Sequence, residues 1–221
     1  MERLFRRRTE RGRRGAICLC ARAGLGRPWG HAGSRAQRGP ALPSPAEFFL
    51  RRTGEDDAAL VGDLDVLGTL TIEGAGRLVT ILDGNRSGTN DRVLHVLPGA
   101  DLTVSGVTIQ NGYHPSFGGA IDNEGALTVV DSLLTGNLAG NGGGIASTGV
   151  VTMTAATLLR NEAVNRGGGL FVEKGRALLS ESYATGNTAG IAGGIFAGAK
   201  SDVTLDGSIA SGNVARQDGG G

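Results

Sequence analysis

Residues 127–144 read Leu127-Thr128-Val129-Val130-Asp131-Ser132-Leu133-Leu134-Thr135-Gly136-Asn137-Leu138-Ala139-Gly140-Asn141-Gly142-Gly143-Gly144, and most of the chain varies this pattern. On either side, the glycine pairs Gly118-Gly119, Gly143-Gly144, Gly168-Gly169 and Gly193-Gly194 recur every 25 positions, with Gly219-Gly220 after 26. Asn111, Asn137, Asn161, Asn187 and Asn213 keep step at intervals of 26, 24, 26 and 26. A fixed period of this size marks a repeat architecture, in which one small unit cannot bury its apolar face alone and does so by stacking on its neighbours.

Between these markers runs an alternating segment that stacks in columns. One apolar column is Leu70, Leu102, Leu127, Val151, Ala177 and Val203; a second, two positions on, is Ile72, Val104, Val129, Met153, Leu179 and Leu205. Thr71, Thr103, Thr128, Thr152, Leu178 and Thr204 stand between them. A period of two is a strand with one buried and one wet face, so the threonines face outward. Two shorter strands complete each unit, one after the glycines (Leu170-Phe171-Val172) and one before the Asn (Leu133-Leu134-Thr135). Three strands and three turns fill the period and leave no room for a helix. Coiling the chain then sets each strand on its equivalent one turn later, at roughly 4.8 Å per turn. The expected fold is an all-β parallel β-helix with three short strands per coil. About six coils between Asp63 and Gly221 would make a rod on the order of 30 Å long. Glycine ahead of the first strand supplies positive φ for a sharp turn, and Asn is read as the next best residue there, with an amide that bonds the coils above and below. The first coil is longer, Thr71 to Thr103 spanning 32 residues, with a loop over 85–91. A leucine-rich repeat is excluded by too few leucines, and a calcium-binding nonapeptide roll by the missing nine-residue spacing.

The formal charge of +1 over 221 residues conceals two segments. Residues 1–52 hold 13 Arg against three acids; the rest hold nine basic and 18 acidic residues. The division is therefore an Arg-rich unstructured arm over 1–52 and a β-helix over 53–221. No stretch approaches the roughly 20 apolar residues of a membrane-spanning helix, and the run Ala16 to Ala21 is cut short by Arg22 before it makes a signal peptide. Cys18 and Cys20 are too close to pair or to make a zinc site of the usual spacing.

From Thr53 onward the chain resembles right-handed β-helix proteins of the pectin-lyase-like superfamily. In particular it is similar to large bacterial secreted or surface proteins with a Cys-Ser-Leu-Arg-Glu-Ala motif, and to the repeats of chlamydial polymorphic outer-membrane proteins. The residues that carry this are Gly62-Asp63-Leu64-Asp65-Val66, Leu70-Thr71-Ile72-Glu73-Gly74-Ala75-Gly76, Thr80-Ile81-Leu82-Asp83-Gly84, Arg92-Val93-Leu94-His95-Val96 and Leu102 to Gly112. The resemblance implies an extracellular or cell-surface location. The upstream motif itself is missing, and the repeats stop where a further strand is due. The body is therefore expected to be a fragment lacking coils and caps at both ends. Residues 1–52 are either a segment translated from a wrong start or frame, or a genuine basic arm.

Activity on this fold makes definite demands. Lyases need clustered carboxylates for calcium plus a basic residue, and hydrolases need two or three carboxylates across one sugar bond. The superfamily's hydrolase elements are not found in their arrangement, and the acidic doublet Asp56-Asp57 precedes the first coil, where capping explains it. The best residual cluster is Asp122, Asn123 and Glu124 with Glu173 and Lys174 two coils on, about 10 Å away along the axis. These five residues are the candidate glycan groove, although an exposed polar turn explains them more simply. His95, in a strand, and His114, in a loop with Pro115, are read as structural for want of a partner in register. Phe171 and Phe196 are read as interior packing rather than a sugar platform, the first strand alternating too weakly to fix their face. One rank of threonines, broken by Leu178, follows from β-propensity and is not an ice-binding array.

The expected role is thus non-enzymatic: a structural or adhesion-type segment of a bacterial cell-surface or secreted protein, without cofactor or metal. Its partners would be surface glycans or host or neighbour-cell proteins, with no specific nucleic acid. The competing class is a carbohydrate-active enzyme or carbohydrate-binding module of pectin-lyase-like type.

Overall fold

The computed structural model describes residues 63–87 and 90–218, together with two earlier strands, Gly15–Leu19 and Ala46–Phe49. The described residues form an all-β parallel solenoid of six coils in which strands stack in ranks and every inter-coil pairing is parallel. The first rank runs through Leu64–Val66, Leu94–Val96, Ile121–Asn123 and Ile145–Ser147. The second runs through Thr69–Gly74, Asp101–Ser105, Ala126–Val130 and Val150–Thr154. In the last two coils these ranks fuse into single strands, Leu170–Ser180 and Ile195–Asp206. The third rank holds Thr80–Asp83, Thr108–Gln110, Leu133–Thr135, Thr157–Leu159, Tyr183–Thr185 and Ile209–Ser211.

A fourth rank adds to the three strands expected in each coil. It comprises Tyr113–Phe117, Leu138–Asn141, Glu162–Arg166, Thr188–Ile191 and Val214–Asp218, just after the Asn marker. Its inward residues are small, Ala139, Ala163 and Ala189, with His114 in the same column. Small residues keep this wall close to the core. The strands carry a register shift after the alanine, so no clean alternation marks them in the sequence.

The apolar columns lie in register as the alternation requires. Leu102 stacks on Leu127, Val151 and Ala177, while Val104 stacks on Val129, Met153 and Leu179. All eight are buried, and each large aliphatic side chain removed from water contributes roughly 1.5–3 kcal/mol. The threonine column falls between them on the wet side, where Leu178 is 42% exposed.

Two markers stack one residue away from the alignment their spacing suggests. Ile121 pairs with Ile145, so Gly118-Gly119 stacks on Gly142-Gly143 rather than on Gly143-Gly144. The first residue of each set turns the corner with positive φ: Gly118, Gly142, Gly167 and Ala192. The second must be glycine for a different reason. A Cβ on Gly143 would collide with the carbonyl oxygens of Glu162 and Gly168 in the next coil. Likewise Leu134 pairs with Ile109, which puts Gly112 in the column of Asn137, Asn161, Asn187 and Asn213. Asn111 instead takes the left-handed corner at φ 56°, in line with Gly136, Arg160, Gly186 and Gly212.

The four Asn residues of the column form a closed ladder and do not adopt positive φ. Asn161 Oδ1 accepts the backbone N–H of Asn137 at 3.1 Å and its Nδ2 at 3.0 Å. Asn161 Nδ2 donates to Asn187 Oδ1 at 3.1 Å and to the Leu134 carbonyl at 2.9 Å. The pattern repeats from Asn187 to Asn213, so each buried amide is satisfied by its neighbours. Ser132, Ser182 and Ser208 do the same at the preceding corner, accepting the N–H groups of Val107, Ala156 and Ser182.

The two early strands pair with the first coil, Gly15–Leu19 with Thr69–Gly74 and Ala46–Phe49 with Thr80–Asp83. Apart from them, the basic arm over 1–52 and the doublet Asp56-Asp57 lie outside the described residues. Residues 84–93 carry no strand at their described positions, in keeping with a longer first coil.

Candidate functional site

The first rank alternates after all, with Ile121 and Asn123 facing in and Asp122 facing out. Stacking then lines up one outward row: Asp65, His95, Asp122, Ala146, Phe171 and Phe196. Its first three members are polar and its last two aromatic.

The polar part centres on Arg92, at the entrance to the strand Leu94–Val96. Its side chain is only 6% exposed. Nη1 donates to Asp122 Oδ2 at 2.7 Å, Nε lies 3.1 Å from Asp63 Oδ2, and Asp91 Oδ1 accepts the Arg92 backbone N–H at 2.8 Å. Nη2 is 2.8 Å from His114 Nε2. A planar guanidinium presents donors on several edges, which suits it to bridge carboxylates from separate coils.

Beside it, His95 Nδ1 lies 3.3 Å from Asp65 Oδ1 and Nε2 lies 3.7 Å from Glu124 Oε1. Asp63, Asp65 and His95 can place one ligand atom each within 4.8 Å of one another, a set of two carboxylates and an imidazole able to hold a cation. Both histidines thus have charged neighbours that spacing did not reveal. His114, expected in a loop, sits in the strand Tyr113–Phe117 and points inward, its Nδ1 accepting the N–H groups of Ser116 and Phe117.

The five residues of the sequence-based groove separate. Asp122 pairs with Arg92, and Glu124 stands half-exposed near His95. Asn123 is buried in the core, donating to Ser147 Oγ at 2.9 Å and to the Val150 carbonyl at 3.0 Å. Glu173 and Lys174 are exposed two coils on, where the first and second ranks fuse. In the row between them, Ala146 and Phe171 carry no polar side chain.

In the aromatic part, Phe171 and Phe196 face outward rather than into the core, because the inward positions belong to Leu170 and Val172. Phe171 is nonetheless 5% exposed, since Phe117 and Phe196 stack against it at centroid distances of 6.1 and 5.4 Å. The Arg166 guanidinium carbon lies 5.2 Å from the centroid of Phe196. Beyond Arg166, Asn141, Asn165 and Gln217 border an open cleft of about 370 Å³. No protein-family model, curated protein or solved structure matches this chain.

Proposed function

We propose that these coils serve as a rigid, non-enzymatic structural or adhesion-type segment of a bacterial cell-surface or secreted protein, offering a face to surface glycans or to host or neighbour-cell proteins. The finer kinship, a right-handed β-helix of the pectin-lyase-like superfamily, belongs to this reading and rests on the motifs quoted above.

The observation that carries it is the coil-to-coil register of the third rank, which runs without a shift and is closed inside by the Asn ladder. An Asn ladder satisfied within itself leaves the outward rows and corners free to change without disturbing the stack, which suits a scaffold for variable contacts. The pairing of Asp122 with Arg92 suits a residue that ties coils together.

One feature favours the second class, a carbohydrate-active enzyme or carbohydrate-binding module. Acids and an imidazole share a straight row with aromatic rings, and an amide-lined cleft lies alongside. The rings, however, cover one another face to face, whereas a sugar platform needs an open face. A glycan array combined with a uronate-release assay separates the two. Binding without turnover is the expected result. Turnover that disappears in Asp122→Ala and Glu173→Ala would overturn the scaffold reading.

A further inference from the structure

We propose that Asp63, Asp65 and His95 form a binding site for a divalent transition-metal ion of the Zn²⁺ type, which fastens the first coil to the second. Asp65 and His95 are partners in adjoining first-rank strands, and Asp63 stands just ahead of the first of these. Their ligand atoms converge within 4.8 Å, drawn from both coils. The Asp63 and Asp65 side chains are 3% and 1% exposed, and that of His95 is 14% exposed. The convergence is therefore shielded from water rather than being a surface patch of acids.

On the imidazole, Nδ1 faces Asp65 Oδ1 at 3.3 Å, and the buried Nε2, which has no hydrogen-bond partner, faces Glu124 Oε1, so the ring lies between carboxylates of both adjoining coils. A neutral imidazole is the commonest protein ligand for transition metals. The donor set also selects the ion. Calcium takes six to eight oxygens, whereas two carboxylates and one imidazole make a three-residue set of the sort that leaves zinc a fourth position. Glu124 Oε1, 3.7 Å from His95 Nε2 on a half-exposed side chain, borders the open side of the set. Arg92, 3.1 Å from Asp63 Oδ2, orients that carboxylate from outside, as groups around metal ligands commonly do. The site uses residues other than Glu173 and Lys174 and does not depend on the scaffold reading.

The test is Zn²⁺ titration by calorimetry and thermal melting on the full chain, with Cys18 and Cys20 changed to Ser throughout so that thiols do not compete. One ion per chain is expected, with the melting temperature raised by about 5–10 °C at a hundredfold excess over Kd. His95→Gln and Asp65→Asn should each weaken binding at least about tenfold with an unchanged circular dichroism spectrum, while Glu173→Gln leaves it intact. Ring ¹⁵N shifts of the parent chain provide a measurement that needs no variant: Zn²⁺ should move the His95 signals. No saturable binding, binding that survives both variants, or shifts confined to His31 or His114 would each overturn the site.

Discussion

Replacing Asn161 with Ala tests whether the internal ladder holds the coils together. The side chain makes four hydrogen bonds, accepting from Asn137 N and Nδ2 and donating to Asn187 Oδ1 and Leu134 O. Not all four groups are stranded by the change. Asn137 Nδ2 still donates to the Ile109 carbonyl, and Asn187 Oδ1 still accepts the backbone N–H of residue 161. The Asn137 N–H and the Leu134 carbonyl lose their ladder partner in a buried setting, at roughly 1–3 kcal/mol each. A small cavity adds to this, so the loss is about 3–5 kcal/mol. For a folded body of this size it corresponds to a fall in melting temperature of about 6–20 °C.

Urea denaturation followed by circular dichroism measures the loss, with Thr152→Ser on the wet face as the reference. A lower midpoint at constant slope reports stability alone, whereas a lower slope reports partial unfolding of the stack. Hydrogen exchange would then locate it, since the amides of Asn137 and its neighbours should open first. A cost below about 1 kcal/mol, within reach of an ordinary surface change, would refute the argument that the ladder carries the register.

Gly143→Ala should destabilise by at least about 2–3 kcal/mol, because the new methyl wedges against two carbonyl oxygens of the next coil; a thermal melt checks it, and an unchanged midpoint would contradict the close approach. Arg92→Met should cost about 3–5 kcal/mol, since it removes a buried guanidinium from Asp63 and Asp122. Adding Asp63→Asn and Asp122→Asn to that variant should restore much of the loss, and a triple variant no more stable than Arg92→Met would show that packing, not charge, sets the cost.

The second rank was legible because the positions facing in, such as Leu127 and Val129, differ in kind from Thr128 between them. The fourth rank was not, because its inward residue is alanine and a shift in register follows it, as in Leu138-Ala139-Gly140-Asn141. The same shift accounts for the slipped glycines, since the offset falls from 25 at Ala139 and His114 to 24 at Asn141 and Phe117. Spacings of 26 and 24 average to the true period, so Asn111 looks like the first rung although Gly112 occupies it. Both residues suit the corner, one for its tolerance of positive φ and the other for its lack of a side chain, and sequence spacing alone does not separate them.

The charged cluster escaped notice for a related reason. Asp65, His95 and Asp122 are successive members of one row, yet they are separated by 30 and 27 residues because the early coils are longer. Where the coils are regular, buried polar positions are filled by Asn, which bonds to the next Asn, and by Ser, which accepts a backbone N–H one coil away. The Asn ladder needs an identical residue in each coil and leaves the sequence periodic. Where the early coils lengthen, the inward alanine column takes in His114 and Arg92 is buried beside it, so neutral ladder chemistry gives way to ion pairs between unlike residues. Pairs of unlike residues repeat nowhere and leave no period to read. The two kinds of buried polar group should therefore answer different assays. Loss of a rung such as Asn161 should lower stability and leave Zn²⁺ affinity intact, whereas His95→Gln should weaken Zn²⁺ binding at least about tenfold at little cost to the metal-free stack.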